Sequence, residues 1–280
     1  MRWINKRNKN NRKRAHRIVN RFLRNAWDNY SKSYVNCDFD TFKKNKEFKS
    51  LLYNEQEGYC CYCMRKLDLK EKGKCTIEHI MPHKVGNKDV AFYYAHVPHL
   101  RKNVRVKLIG KDTPRLKHDR RYPHFCAYEN LVLSCSGSIY KTENPSDEYP
   151  SKLHECCNNP RGTKRVIPMF FYKTQAFEYE SDGSLSFPAQ YEESIKALRL
   201  ETTDNLRLIR KAWASIVKYH TANEVALAIE EQTIREEILM DTTLTTQEAK
   251  RMKHDLYWQL LYEYQWFEGY FRKKFKISKL

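Results

Sequence analysis

Apolar and polar positions along the chain divide it into helical, alternating and aperiodic stretches. Ala15, Ile18, Val19, Phe22, Leu23, Ala26 and Trp27 recur at helical spacing with Arg residues between them, which predicts a basic amphipathic helix from about residue 15. Such a helix reads either as a solvated face or as one that tracks phosphates. Residues 1–14 are very basic and are expected to be frayed. A second helix is predicted from near Thr41 to Gln56, with Phe48, Leu51 and Leu52 as its inner stripe and Gly58 as its stop. "CTIEHI" (75–80) alternates like a strand that Pro82 ends. Residues 84–127 show no clear period and read as a basic insertion on one face of the core. "YENLVLSC" (128–135) reads as the returning strand, "SGSIYKTENPSDEYPSK" as a turn-rich loop, and "HECCNNPRG" as the start of a short helix. Asp182-Gly183 between two alternating runs predicts a hairpin.

From about Thr203 the pattern is purely helical. Leu206, Ile209, Trp213, Ile216 and Val217 form one stripe, capped by Thr203 or Asp204. A further helix is predicted over 223–240, and Thr245 with Glu248 makes a capping box for a last one running to about Phe275. Its aromatics, Tyr257, Trp258, Tyr262, Tyr264, Trp266 and Phe267, cover more than one face, so some must pack on another element or on a partner. The class is therefore α+β, in three regions: a basic N-terminal helical region (1–57), a central region with the cysteines (58–190), and a C-terminal helical region (191–280).

Composition narrows the function classes. With 41% hydrophobic and 13% aromatic residues in 280, the chain can bury a sizeable core and is not a disordered basic tail. A net charge of +18 exceeds what solubility requires and favours nucleic acid as partner, because each neutralised phosphate releases condensed counterions. The basic start is followed by no apolar run, so no signal peptide is expected, and no stretch of about 18 apolar residues predicts a membrane helix. A cytoplasmic protein that makes no membrane contact is the resulting expectation. Nine cysteines, several closely paired, then suggest metal ligation over disulfides.

Zinc takes four soft or borderline ligands in a tetrahedron, and a C-x-x-C turn supplies two. Cys60 and Cys63 have that spacing; Cys135 at a strand end and Cys157 at a helix start supply the second pair. Cys61 and Cys156 adjoin these candidates, and the choice between Cys156 and Cys157 stays open. Cys37, Cys75 and Cys126 are expected to be buried thiols. Between the two clusters lie Glu78 and His79, consecutive on a strand and so facing opposite ways unless the strand kinks before Pro82. Asn130 opens the returning strand and Asn158 follows a ligand cysteine. A carboxylate, an imidazole and two amides are what metal-assisted phosphodiester hydrolysis needs. Carboxylate and amide oxygens suit Mg²⁺, and a neutral imidazole can deprotonate water.

"GYCCYCMRKL", "IEHIMPHK", "YENLVLSC" and "CCNNPRG", in that order, resemble the HNH (ββα-metal) endonuclease family, and most closely the HNH nucleases of retron and Septu-type bacterial antiphage systems. The likeness spans roughly residues 45–220. About fifty residues separate His79 from Asn130, a looser spacing than in compact members of the superfamily and a mark of the retron and Septu type. The resemblance implies a zinc-stapled ββα core. By it, His79 is the general base, Glu78 and Asn158 hold a catalytic Mg²⁺ or Mn²⁺, and Asn130 holds the hairpin loop and the base. Asn159 is the alternative to Asn158. Arg161 and Lys84 are read as phosphate contacts, and His83 as either a surface residue or a further phosphate contact. The implied activity is cleavage of DNA, with RNA as the other substrate, alongside an ATPase partner for which the C-terminal aromatic helices are the candidate surface. Two other classes stay open: a non-catalytic zinc-stabilised nucleic-acid-binding module, and a structural subunit of a defence assembly.

Overall fold

The computed structural model describes residues 1–31, 33–70, 75–82, 85–106, 121–137, 155–171, 177–201, 204–219, 259 and 261–277. In chain order the elements are helix α1 (Lys9–Asn25), strands β1 (Trp27–Asp28) and β2 (Ser33–Tyr34), helices α2 (Phe39–Phe42) and α3 (Lys46–Glu55), and strand β3 (Thr76–His79). Helices α4 (Asn87–His96) and α5 (Pro98–Asn103) follow, then strands β4 (Val104–Arg105), β5 (Tyr122–Pro123) and β6 (Leu131–Ser134). Helix α6 (Asn158–Arg161), strands β7 (Glu178–Tyr179) and β8 (Leu185–Ser186), and helices α7 (Glu192–Leu198), α8 (Asp204–Tyr219) and α9 (Trp266–Phe275) complete the described set. The class is α+β, with every described sheet only two strands wide.

α1 buries Ala15, Ile18, Val19 and Leu23 along the predicted stripe, but it starts six residues earlier than the periodicity suggests. The cause is local: the Asn8 side chain accepts from the backbone N–H groups of Asn10 and Asn11, both at 3.0 Å. The expected fraying of residues 1–14 is corrected too. Ile4 is buried and its N–H donates to Phe170 O at 2.7 Å, while buried Lys6 pairs with Glu55 at 2.5 Å. These are contacts distant in sequence, so no local pattern announces them. The single helix expected over 41–56 is two. Asp38 caps α2 through the Thr41 N–H, and Asn45 interrupts the chain to cap α3 through the Phe48 N–H. Phe48, Leu51 and Leu52 are buried as expected.

β3 and β6 form the central antiparallel pair, in the register Thr76↔Ser134, Ile77↔Leu133, Glu78↔Val132 and His79↔Leu131. Gln56, at the end of α3, closes the other edge of β6. Its amide Nε2 donates to Leu133 O at 2.8 Å and its Oε1 accepts from the Leu133 N–H at 2.7 Å, as a neighbouring strand would. The stretch 84–127, read as aperiodic, carries α4 and α5. Each buries only one apolar side chain, Tyr93 and Leu100 respectively, which is too little to register as a stripe.

The hairpin at Asp182-Gly183 forms as predicted, with Glu178↔Ser186 and Tyr179↔Leu185. Gly183 has φ +83°, and a Cβ there would stand 2.0 Å from Arg207 O, so the turn needs glycine for conformation and for space. α8 matches the predicted helix and packs on α9. The predicted helix over 223–240, the capping box at Thr245, and Tyr257 and Trp258 lie outside the described residues. The described end of the last helix is interrupted by a turn at Tyr264–Gln265 before α9 begins. Tyr264, Phe267 and Phe271 are buried, so most described aromatics of this segment serve the core and leave Tyr262 as an exposed one. The C-terminal segment also ties into the cysteine region: the Lys66 N–H donates to Glu263 O at 2.6 Å, and Arg65 pairs with Glu263 at 2.5 Å. Among the described residues, no helix is long and apolar enough to cross a membrane.

Candidate metal centre and the residues around it

The first two thiols sit in a tight knuckle. The Cys60 N–H donates to Arg65 O at 2.8 Å, the Leu67 N–H to Gly58 O at 2.7 Å, and Met64 turns the chain with φ +65°. Cys135 follows β6 directly. Cys157 precedes α6, in a positive-φ conformation (+66°) that a non-glycine residue rarely adopts. Gly137 makes the approach of that segment possible. It accepts from the Cys156 N–H at 2.9 Å, and a Cβ on it would meet Cys156 O at 2.1 Å.

Cys60, Cys63, Cys135 and Cys157 are all buried, and their sulfur atoms lie within 4.8 Å of one another. Individual Sγ–Sγ distances are 3.6 Å for Cys63–Cys135, 3.8 Å for Cys60–Cys157 and 3.8 Å for Cys135–Cys157. A zinc tetrahedron with Zn–S bonds of about 2.3 Å has edges of about 3.8 Å, so the donor set and its dimensions fit such an ion. The group contains the C-x-x-C pair and Cys135, and of the two alternatives Cys156 and Cys157 it takes Cys157. Cys156 lies alongside as a fifth sulfur, 3.4 Å from Cys157. The Tyr264 hydroxyl lies 3.9 Å from Cys63 Sγ and contributes to closing the centre from solvent.

β3 carries the Glu-His pair past this centre with its side chains on opposite faces, as a regular strand requires. Glu78 shares its face with Thr76, whose hydroxyl donates to Glu78 Oε1 at 2.8 Å. Burial pushes this carboxyl up to about 7, against the opposing influence of the Thr76 bond and of Arg161. His79 turns the other way and is 7% exposed. Its ring packs on Phe39 at 4.2 Å and lies 6.2 Å from the His124 ring, and Nε2 is 3.3 Å from Phe125 O.

Asn130 is fully buried and joins both ends of the long connection between β3 and β6. Its Oδ1 accepts from the Met81 N–H at 2.8 Å, and its Nδ2 donates to Met81 O at 3.2 Å and to His124 O at 2.9 Å. Asn158 opens α6 and is half-buried, and Asn159 is exposed beside it.

Arg161 departs from expectation. Read as a phosphate contact, it is 2% exposed and points inward. Nη1 donates to His79 O at 2.8 Å and to the Tyr62 hydroxyl at 3.1 Å; Nη2 donates to Ile80 O at 2.5 Å and to the Tyr93 hydroxyl at 3.2 Å. The carbonyls of His79, the last residue of β3, and of Ile80 just beyond it are successive acceptors that a planar five-donor group can serve together. Arg161 thus ties α6 to the end of the Glu-His strand. His83 and Lys84, the other candidate phosphate contacts, lie outside the described residues.

Sequence reasoning missed Arg161 as a clamp, Gln56 as a strand mimic, and Phe39 and His124 as neighbours of His79. The one partial signal is for Arg161, which follows Cys157 by four residues and so lies close to the thiols. Compared with family models, curated proteins and solved structures, the chain matches none of them.

Proposed function

We propose that the chain is a metal-dependent endonuclease of the HNH type, with Zn²⁺ as a structural ion and nucleic acid, DNA foremost, as substrate. The observation that carries this reading is the meeting of four buried thiols at a strand–strand–helix unit whose strand bears Glu78 and His79 and whose helix begins with Asn158. A sulfur-only centre is closed and structural, and hydrolysis falls to other groups.

Glu78 and Asn158 offer the carboxylate and amide oxygens that a hard divalent cation prefers. Bound there, Mg²⁺ or Mn²⁺ would absorb charge developing on a scissile phosphate. His79 is the base of the proposal. A proton on Nε2, shared with Phe125 O at 3.3 Å, makes Nδ1 the nitrogen that takes the proton of water. Asn130, by gripping Met81 and His124, fixes the loop on which this arrangement depends. The net charge of +18 supplies the attraction for a polyanion. Action in antiphage defence beside an ATPase belongs to the same proposal and rests on the motif resemblance.

One observation favours a second reading, a zinc-stabilised binding module without activity: His79 is almost wholly buried, behind Phe39, on the strand face opposite Glu78. Incubation with plasmid, single-stranded DNA and total RNA, with and without added Mg²⁺, distinguishes the two. Endonuclease action predicts Mg²⁺-dependent cleavage that His79→Ala abolishes while binding persists. Binding without cleavage of any of these, with Mg²⁺ or Mn²⁺ present, would establish the second reading.

A further inference from the structure

The N-terminal segment and α5 border an open cavity remote in chemistry from the thiols. It has a volume of about 360 Å³ and is lined by residues of that segment, of α5 and of the turn before β6. The volume lies in the range of small-molecule sites, about 300–1,000 Å³. Its charged lining is Lys6, Arg7, Arg12 and Lys102 against one carboxylate, Glu129, with His99 beside it.

Two of these cations already have partners. Lys6 is held by Glu55 and lies over the Tyr128 ring at 4.2 Å. Arg12 lies 3.1 Å from Glu129 Oε1 and donates to Asn103 Oδ1 at 2.5 Å. Arg7 and Lys102 are exposed, and their side chains pair with no described residue. Beside them, two buried acceptors lack donors: Glu129 Oε2 and His99 Nε2. Glu129 is 1% exposed, and its other oxygen is taken by His16 at 2.9 Å and by Arg12. A neutral His99 ring with its proton on Nδ1 offers Nε2, which is buried without a partner, as an acceptor.

Buried acceptors without donors are costly, and an anion alone would worsen the position of Glu129 Oε2. A fitting ligand brings negative charge for the two exposed cations and hydroxyl donors for the two acceptors. Ribose phosphate has both. We propose that this cavity binds a ribonucleotide, its phosphate toward Arg7 and Lys102 and its vicinal diol donating to Glu129 Oε2 and His99 Nε2. The same chemistry is presented by a free nucleoside 5′-monophosphate and by the 3′-terminal residue of an RNA. The site uses none of the residues assigned to hydrolysis, and it stands or falls separately from them.

The test is calorimetric titration of the intact chain, without added Mg²⁺, with AMP, GMP, CMP and UMP, with 2′-deoxy-AMP, with inorganic phosphate, and with a short RNA ending in either a 2′,3′-diol or a 3′-phosphate. One saturable site is expected for a ribonucleotide or for the diol-ended RNA. Loss of the diol, as deoxynucleotide or as 3′-phosphate, should weaken it at least tenfold. Arg7→Ala and Lys102→Ala, both exposed changes expected to leave the melting temperature unaltered, should each weaken it about tenfold, the scale of one charged hydrogen bond. Mononucleotide binding identifies the free ligand; binding of the diol-ended RNA alone identifies the chain end. The proposal is overturned by absence of saturable binding to any probe, by equal affinity for inorganic phosphate, by affinity indifferent to the diol in the nucleotide and RNA pairs alike, or by affinities unchanged in both variants.

Discussion

The sulfur cluster beside α6 and the charge cluster of the N-terminal segment both bury polar groups, but they satisfy them by opposite means. At the first, four thiols stand within 4.8 Å of one another, with two hydroxyls, of Ser134 and Tyr264, at 3.9 Å from their sulfurs. Thiols are weak donors and weak acceptors, so the chain itself gains little from bringing them together. At the second, the chain answers its own charges: Lys6 with Glu55, His16 and Arg12 with Glu129. The difference marks which part of the fold is suited to depend on an added ion and which on the chain's own pairs. The knuckle, the end of β6 and the start of α6 converge on four thiols that could hold a metal ion, whereas the N-terminal segment is held by pairs the chain itself supplies, apart from two acceptors.

The largest effect should come from breaking the first kind of cluster. Cys63→Ser removes one of four ligands from a centre whose metal binding can be worth on the order of 10 kcal/mol, comparable to the whole stability of a domain. The expected outcome is loss of bound zinc by elemental analysis together with loss of cooperative unfolding. A variant that melts like wild type would show that the sulfur cluster is a packing feature with no metal dependence. Arg161→Met comes next. It leaves the His79 and Ile80 carbonyls and two tyrosine hydroxyls short of a donor, and deletion of a buried charged partner costs about 3–5 kcal/mol. Chemical denaturation should show a lowered midpoint with an unchanged slope. A change under about 1 kcal/mol would mean that α6 is anchored to the strand by the thiols alone.

How much of this was legible depended on whether the determinant was local. The C-x-x-C spacing, the alternation of "CTIEHI" and the Asp182-Gly183 turn are local signals, and the knuckle, β3 and the β7–β8 hairpin stand where they point. The place of the other two, at a strand end and a helix start, is a weaker signal: it leaves Cys156 and Cys157 as alternatives, and the structure brings in Cys157. The docking of residues 1–8 was not legible, because it rests on Phe170 and Glu55, far away in sequence. Arg161 was misread for a related reason. An arginine after a ligand cysteine looks like a phosphate contact until one sees that the end of β3 presents it with two successive carbonyls. The strand period left Glu78 and His79 either diverging or brought together by a kink before Pro82, and the regular strand has them diverge.

The smallest effect concerns the charge cluster, and its sign separates the two buried acceptors there. Burial, aided by the nearby charges of Lys6 and Arg7 and opposed by Glu129, pushes the His99 imidazole down to about 4 from the ordinary 6.5. The folded protein therefore keeps this ring neutral while the unfolded chain takes up a proton. Its contribution is fully present above about pH 6.5, is lost as pH falls from there toward 4, and amounts to about 3 kcal/mol at most. Glu129 responds lower. Burial raises its carboxyl, but the bond from His16 and the charges of His16 and Arg12 outweigh burial and hold it below its ordinary 4.5, so its contribution fades only as pH drops below that value. Glu78, pushed up to about 7, acts with the opposite sign, because its neutral form is favoured by the fold and stability is lost as pH rises from 4.5 to 7. The wild-type curve thus sums opposing limbs, and the difference between wild type and His99→Leu isolates the histidine. That difference, from denaturation midpoints between pH 4 and 7.5, should shrink in the variant's favour as the solution is acidified from 6.5 and level off near 4. Parallel curves over that interval would mean that His99 titrates in the folded protein as it does in the unfolded chain, and that Nε2 does not keep its lone pair for a ligand in mild acid.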